Sequence, residues 1–186
     1  MEAKSVCFIG HRNAKLTESQ LASLQNIIED LIVNRNVQIF LFGSRSDFDC
    51  ICHNIVTDLK EEYPYIQRRC YTCRHETCTL ESEREYWEEL YSKWCKREVY
   101  LLGVEEEVEH KTKWTSGKAS YIERNQAMID DSDICVFYYD ENYKPEKRKY
   151  SKRCLYTYQP NSGTQLAYQY AKQKKKEIIN VFEILK

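Results

Sequence analysis

Four short apolar runs, at residues 6–9, 37–42, 134–139 and 178–182, constrain this chain more than anything else in it. Each is too short for a buried helix. Each places apolar side chains at consecutive positions, so both sides of the segment must be covered. Strands of that kind belong to a parallel sheet with helices packed on each face, and the segments between the runs supply the helices. Thr17-Glu18-Ser19-Gln20 has the capping-box pattern, and Leu21, Leu24, Ile27, Ile28 and Leu31 follow at helical spacing. Asp47 is placed to cap a second helix with Phe48, Ile51, Cys52, Ile55, Val56 and Leu59 on one face, stopped at Tyr63-Pro64. Residues 119–131 and a segment opening at Pro160 and running through Ala171 predict two more.

This alternation predicts an α/β fold: a single Rossmann-like domain over residues 1–186, with a mainly parallel sheet, helices on both faces and the four runs as central strands. A less apolar strand around residues 66–73 is expected nearer an edge. Residues 81–96 read as a helix whose Tyr86, Leu90, Tyr91 and Trp94 form the candidate face for a homo-oligomer. Residues 99–102 read as a short strand, residues 105–116 as a polar loop and residues 142–159 as a basic loop.

Composition narrows the function. The formal net charge is -1, so no global field draws the chain to nucleic acid or an acidic membrane. The start is no signal peptide, and no stretch approaches the ~20 apolar residues of a membrane span, so a cytoplasmic protein without a membrane partner is expected. Nine cysteines, an odd number without a secretion signal, read as reduced thiols, with Cys7 and Cys135 as small core residues. Cys70, Cys73, His75 and Cys78 resemble a zinc set in type, but all four share one short segment, and no metal site is predicted. The basic run at residues 172–176 reads as a solvated helix end.

In open α/β sheets, ligands bind beyond the carboxyl ends of the strands, near the topological switch point. Three such ends carry glycine with small polar or charged residues: Gly10-His11-Arg12, Gly43-Ser44-Arg45-Ser46-Asp47 (with Asp49 following), and Asn161-Ser162-Gly163-Thr164. Gly163 lets the backbone approach a ligand, and Ser162 and Thr164 add hydroxyls where a helix start already favours an anion. Arg12 and Arg45 offer forked donors to phosphate. Glu123-Arg124-Asn125, on the helix before the third apolar run, is the fourth piece. No G-x-G-x-x-G or Walker A motif occurs, so no NAD or ATP site and no cofactor is predicted.

Together these stretches resemble the SLOG superfamily, Rossmann-like proteins that include DprA, the Lonely Guy enzymes and ligand-sensing immune domains. The resemblance rests on Phe8-Ile9-Gly10-His11-Arg12, on Phe42-Gly43-Ser44 through Phe48-Asp49, on Glu123-Arg124-Asn125 with Ser132-Asp133, and on Asn161-Ser162-Gly163-Thr164 with Ala167. It is closest to small stand-alone bacterial members of unknown function. It implies a nucleotide or nucleotide-derived signalling molecule as partner, with a possible link to phage defence, and gives Arg124 the place of the Lonely Guy arginine, gripping phosphate.

The glutamate of the Lonely Guy motif is replaced by Ala167, which favours binding over catalysis. An N-glycosidase would have to use Glu123 or Asp49 with Arg124 instead. A DprA-like nucleic-acid protein, using Arg12, Arg45 and the basic residues 144–153, is the third reading, disfavoured by the net charge.

Overall fold

The structure, a computed structural model, describes residues 2–43, 46–72, 106–109, 118–149, 153 and 156–186. Six strands form one sheet: β1 (Lys4–Gly10), β2 (Val37–Phe42), β3 (Gln67–Thr72), β4 (Glu106–Glu109), β5 (Ile134–Tyr138) and β8 (Glu177–Asn180). Their order is β4-β3-β2-β1-β5-β8, and every pair is parallel. Successive strands step outward from β1 to β4, and the chain then returns to place β5 on the other side of β1. The topological switch point therefore lies between the carboxyl ends of β1 and β5, where ligands of such sheets bind.

The helices are α1 (Glu18–Val33), α2 (Asp47–Glu62), α3 (Lys118–Asp130), α4 (Gly163–Gln173) and α5 (Val181–Ile184). They divide between the two faces, as the consecutive apolar runs require. Along β1, Val6 and Phe8 pack with Leu24, Ile28 and Phe48 of α1 and α2. Cys7 and Ile9 face Ala127 and Met128 of α3 and Ala167 and Ala171 of α4. The capping box at Thr17 is present, with both reciprocal bonds to Gln20. Among the described residues, no helix is long and apolar enough to cross a membrane.

The strand β3 lies nearer an edge than β1 and β2, one strand in from β4, as its lower apolarity predicts. Its Arg68 is nevertheless buried and donates to the Thr57 hydroxyl of α2 at 3.0 Å. Three expectations need correction. The segment read as a polar loop contains β4, whose three glutamates in four residues carry no apolar signal. The last strand, β8, is an edge strand of the described sheet rather than a central one. It ends at Asn180, whose amide bonds both the N–H and the C=O of Tyr139 and so turns the chain into α5. Finally, Ser46 rather than Asp47 caps α2, accepting the Asp49 N–H at 3.0 Å. Within the basic loop, β6 (Arg148–Lys149) and β7 (Thr157–Tyr158) pair as a small antiparallel hairpin. The expected helix at 81–96 with its oligomer face, the strand at 99–102, and Cys73, His75 and Cys78 lie outside the described residues.

Gly10 shows how tightly the strand end is built. A Cβ there would come within 2.5 Å of Cβ and Cγ of Phe48, which is fully buried and stacked on Tyr138. Gly10→Ala is therefore expected to destabilise the chain by about 1–3 kcal/mol through overpacking, read as a lower denaturant midpoint at unchanged slope.

Candidate functional site

A cavity of about 430 Å³ opens at the switch point. Its floor is the end of β1, and the starts of two helices converge on it, α2 through Ser46 and α4 through Ser162 and Gly163. Thr164 ties α4 to the floor, donating its hydroxyl to the Gly10 carbonyl at 2.9 Å. Ser162 caps α4 by accepting the Gln165 N–H at 2.9 Å. The N–H groups of Gly163 and Thr164 begin the helix and have no intrahelical carbonyl to bond. The first turn of α2 carries Asp47 and Asp49, whereas that of α4 has no acid, so the positive end of α4 is not offset by its own side chains. A Cβ on Gly163 would meet nothing within 4 Å. The backbone is thus bare toward open space at the point where an anion would approach.

His11 joins the two strands of the switch point. Its N–H bonds the Tyr138 carbonyl, and its Nε2 accepts the Asp140 N–H at 3.1 Å, which fits a neutral ring protonated on Nδ1. Burial lowers its pKa, against an opposing pull from Asp140. The imidazole packs on Tyr143 with ring centroids 4.2 Å apart, so it holds that tyrosine at the cavity wall and adds no charge.

Arg124 and Asp49 form the charged base of the site. Arg124 reaches the cavity from α3, yet it is only 5% exposed. Its Nε and Nη2 donate to Asn125 Oδ1 at 3.3 and 2.9 Å, and its guanidinium lies 5.3 Å from the Tyr121 ring centroid. A Cβ on Gly43 would stand 2.8 Å from Nη2, so glycine is what admits the guanidinium beneath the end of β2. Asp49 accepts the Ser46 hydroxyl at 3.0 Å. Burial pushes its carboxyl up to about 6, against the opposing charge of Arg124 and the Ser46 hydrogen bond.

The expected residues therefore separate. Gly10, His11, Arg12, Arg124, Asn125, Ser162, Gly163 and Thr164 come together around the cavity. Gly43 and Asp49 are not on its wall but support Arg124 and Ser46. Glu123 is not on the wall either, and Ser44 and Arg45 lie outside the described residues. Ser46 and Asn161, from two of the expected loops, also line the cavity, as do Tyr121, Tyr143 and Arg148. The sequence reading marks Arg148 only as part of the basic stretch and does not place the two tyrosines in the site. Tyr121 had a signal, being three residues before Arg124 on one helix face. Tyr143 had none, since loop residues carry no period.

The model of the YspA SLOG family matches residues 6–173, most of the chain. The chain belongs to that family. No curated protein matches it. In this SLOG chain Ala167 is buried in the core between α4 and the sheet.

Two outcomes follow from the charged base. Arg124→Ala strands a buried carboxylate and is expected to cost about 3–5 kcal/mol of folding stability, measured by denaturation near neutral pH. The pH dependence of Asp49 has a definite sign. A carboxyl raised from 3.8 to about 6 keeps its proton in the folded chain after the unfolded chain has lost it. Its contribution is therefore neutral below the lower value, grows steadily more destabilising through that window, and is constant above it. Asp49→Asn should gain stability relative to the parent across the window and keep a flat difference above it, in denaturant titrations from about pH 4 to about pH 7.

Proposed function

We propose that this SLOG chain binds an anionic, nucleotide-derived small molecule in the cavity at the switch point, as a sensing or sequestering protein. One observation carries the reading. Among the described residues lining the cavity, the charged side chains are Arg12, Arg124 and Arg148, with no aspartate or glutamate, in a chain holding 29 acids and 28 bases. A wall of one sign at the positive end of a helix favours an anion. The volume falls within the range of small-molecule sites, about 300–1,000 Å³. Phosphate oxygens would meet the backbone at Gly163, with arginine forks closing on them. Tyr121 and Tyr143 offer ring faces for a base.

Cleavage of an N-glycosidic bond is the weaker reading. It calls for a general acid or base in reach of the ligand, and Asp49 and Glu123, the two proposed substitutes, are not among the lining residues.

Arg124 is a poor residue for the test, because removing it also disturbs the fold. Gly163→Val is better, because a Cβ there meets nothing within 4 Å. Calorimetry of the parent against a panel of nucleotides and ADP-ribose derivatives should yield a ligand. Gly163→Val should abolish its binding while folding stability changes by less than about 0.5 kcal/mol. Arg12→Ala, at an exposed position, should weaken it by about 1.5–3 kcal/mol. A tight ligand held equally by the parent and both variants would remove the assignment.

A further inference from the structure

One ring nitrogen of His11 is left over by the fold. The residue is 6% exposed and lines the cavity at the switch point. The peptide joining it to Gly10 is tied to α4, since the Gly10 carbonyl accepts the Thr164 hydroxyl at 2.9 Å. Its Nε2 accepts the Asp140 N–H at 3.1 Å. A backbone N–H can only donate, so the ring lone pair sits on Nε2 and the ring proton on Nδ1. Among the described residues, none accepts a hydrogen bond from Nδ1.

Packing does not account for that donor. Contact with Tyr143, at 4.2 Å between ring centroids, needs only a flat ring, which phenylalanine would supply. A buried N–H without an acceptor is a net cost to folding. Two other tasks are closed to the ring. It cannot act as a general base, because the lone pair on Nε2 is already engaged. A second proton would have to enter at Nε2, against the Asp140 N–H, in a wall that already carries Arg12, Arg124 and Arg148. Asp140 is the acid that favours the cation, and burial outweighs it. What remains is an uncharged donor in the wall of an anion site. The arginines and the start of α4 are the partners of a negative group. A neutral donor beside them suits an acceptor without charge, such as a hydroxyl or ring oxygen. Resting on the anion reading above, we infer that His11 is a specificity-determining residue whose Nδ1–H donates to an uncharged oxygen of the ligand, next to its anionic group. The site then prefers a sugar phosphate to a bare phosphate.

The first test needs no ligand. Heteronuclear NMR of the full chain at about pH 7.5 should show a histidine in the Nδ1–H tautomer, the minor form of a free imidazole, whose signal is missing from His11→Gln. The second test compares inorganic phosphate with ribose 5-phosphate by calorimetry. The parent should hold ribose 5-phosphate about tenfold tighter. An asparagine amide can place an N–H where Nδ1 stands. A glutamine amide reaches the place of Nε2 and can accept the Asp140 N–H, but leaves no donor at Nδ1. His11→Asn should therefore keep the preference to within about threefold, and His11→Gln should abolish it with phosphate affinity unchanged. An Nε2–H tautomer would overturn the inference, as would a preference retained by His11→Gln. Loss of the preference in both variants alike would also overturn it, leaving the ring as a support for Tyr143. Phosphate bound by the parent without any preference for the sugar removes the role of His11 alone. A parent that binds neither probe removes the anion reading as well.

Discussion

The site depends on β1 being sealed on both faces while its end is left open. Its side chains alternate between two cores, Val6 and Phe8 toward α1 and α2, Cys7 and Ile9 toward α3 and α4. Strands pair with it on both edges, β2 on one and β5 on the other. The backbone of such a strand has no freedom left, and whatever stands at its carboxyl end is held to the same precision. Gly10 occupies that end because Phe48 needs the room, and its carbonyl in turn anchors Thr164 and the start of α4. Packing and ligand geometry thus meet in one residue.

The charged base shows a different balance. Burying an arginine and a carboxyl together costs more desolvation than an apolar pair of the same size, and that cost recurs at functional sites. Here Gly43 supplies the space, Asn125 takes up two guanidinium donors, and Asp49 supplies charge from behind the wall while holding Ser46 at the mouth. Only the cationic member reaches the cavity. The carboxyl group itself is not on the cavity wall. On the other face of the sheet, Ala167 completes the core with a methyl group, where a carboxylate would have to be solvated or paired.

Much of this was legible in the residues. Consecutive apolar positions marked β1, β2 and β5, because a strand covered on both sides leaves no other pattern. Helical spacing and a capping box marked α1 with its correct start. The expected residues that do line the cavity were found because strand ends and helix starts are where small polar residues have a local backbone role. The sequence misled at β4, where three glutamates in four residues give no apolar signal for a strand that pairs with β3.

By itself the sequence determined the α/β alternation, the family, and the residue types gathered at the strand ends. These are short-range matters of period, capping and backbone permissiveness. Only the tertiary structure decided which strands are central, that Asp49 and Gly43 serve Arg124 from behind the cavity wall, and that Tyr143 and Arg148 join a site far from them in the chain. Those outcomes follow from which surfaces are brought within a few ångströms of each other. Desolvation and Coulomb energies depend on that distance and on the surrounding dielectric, and neither is written in the spacing of residues along a chain.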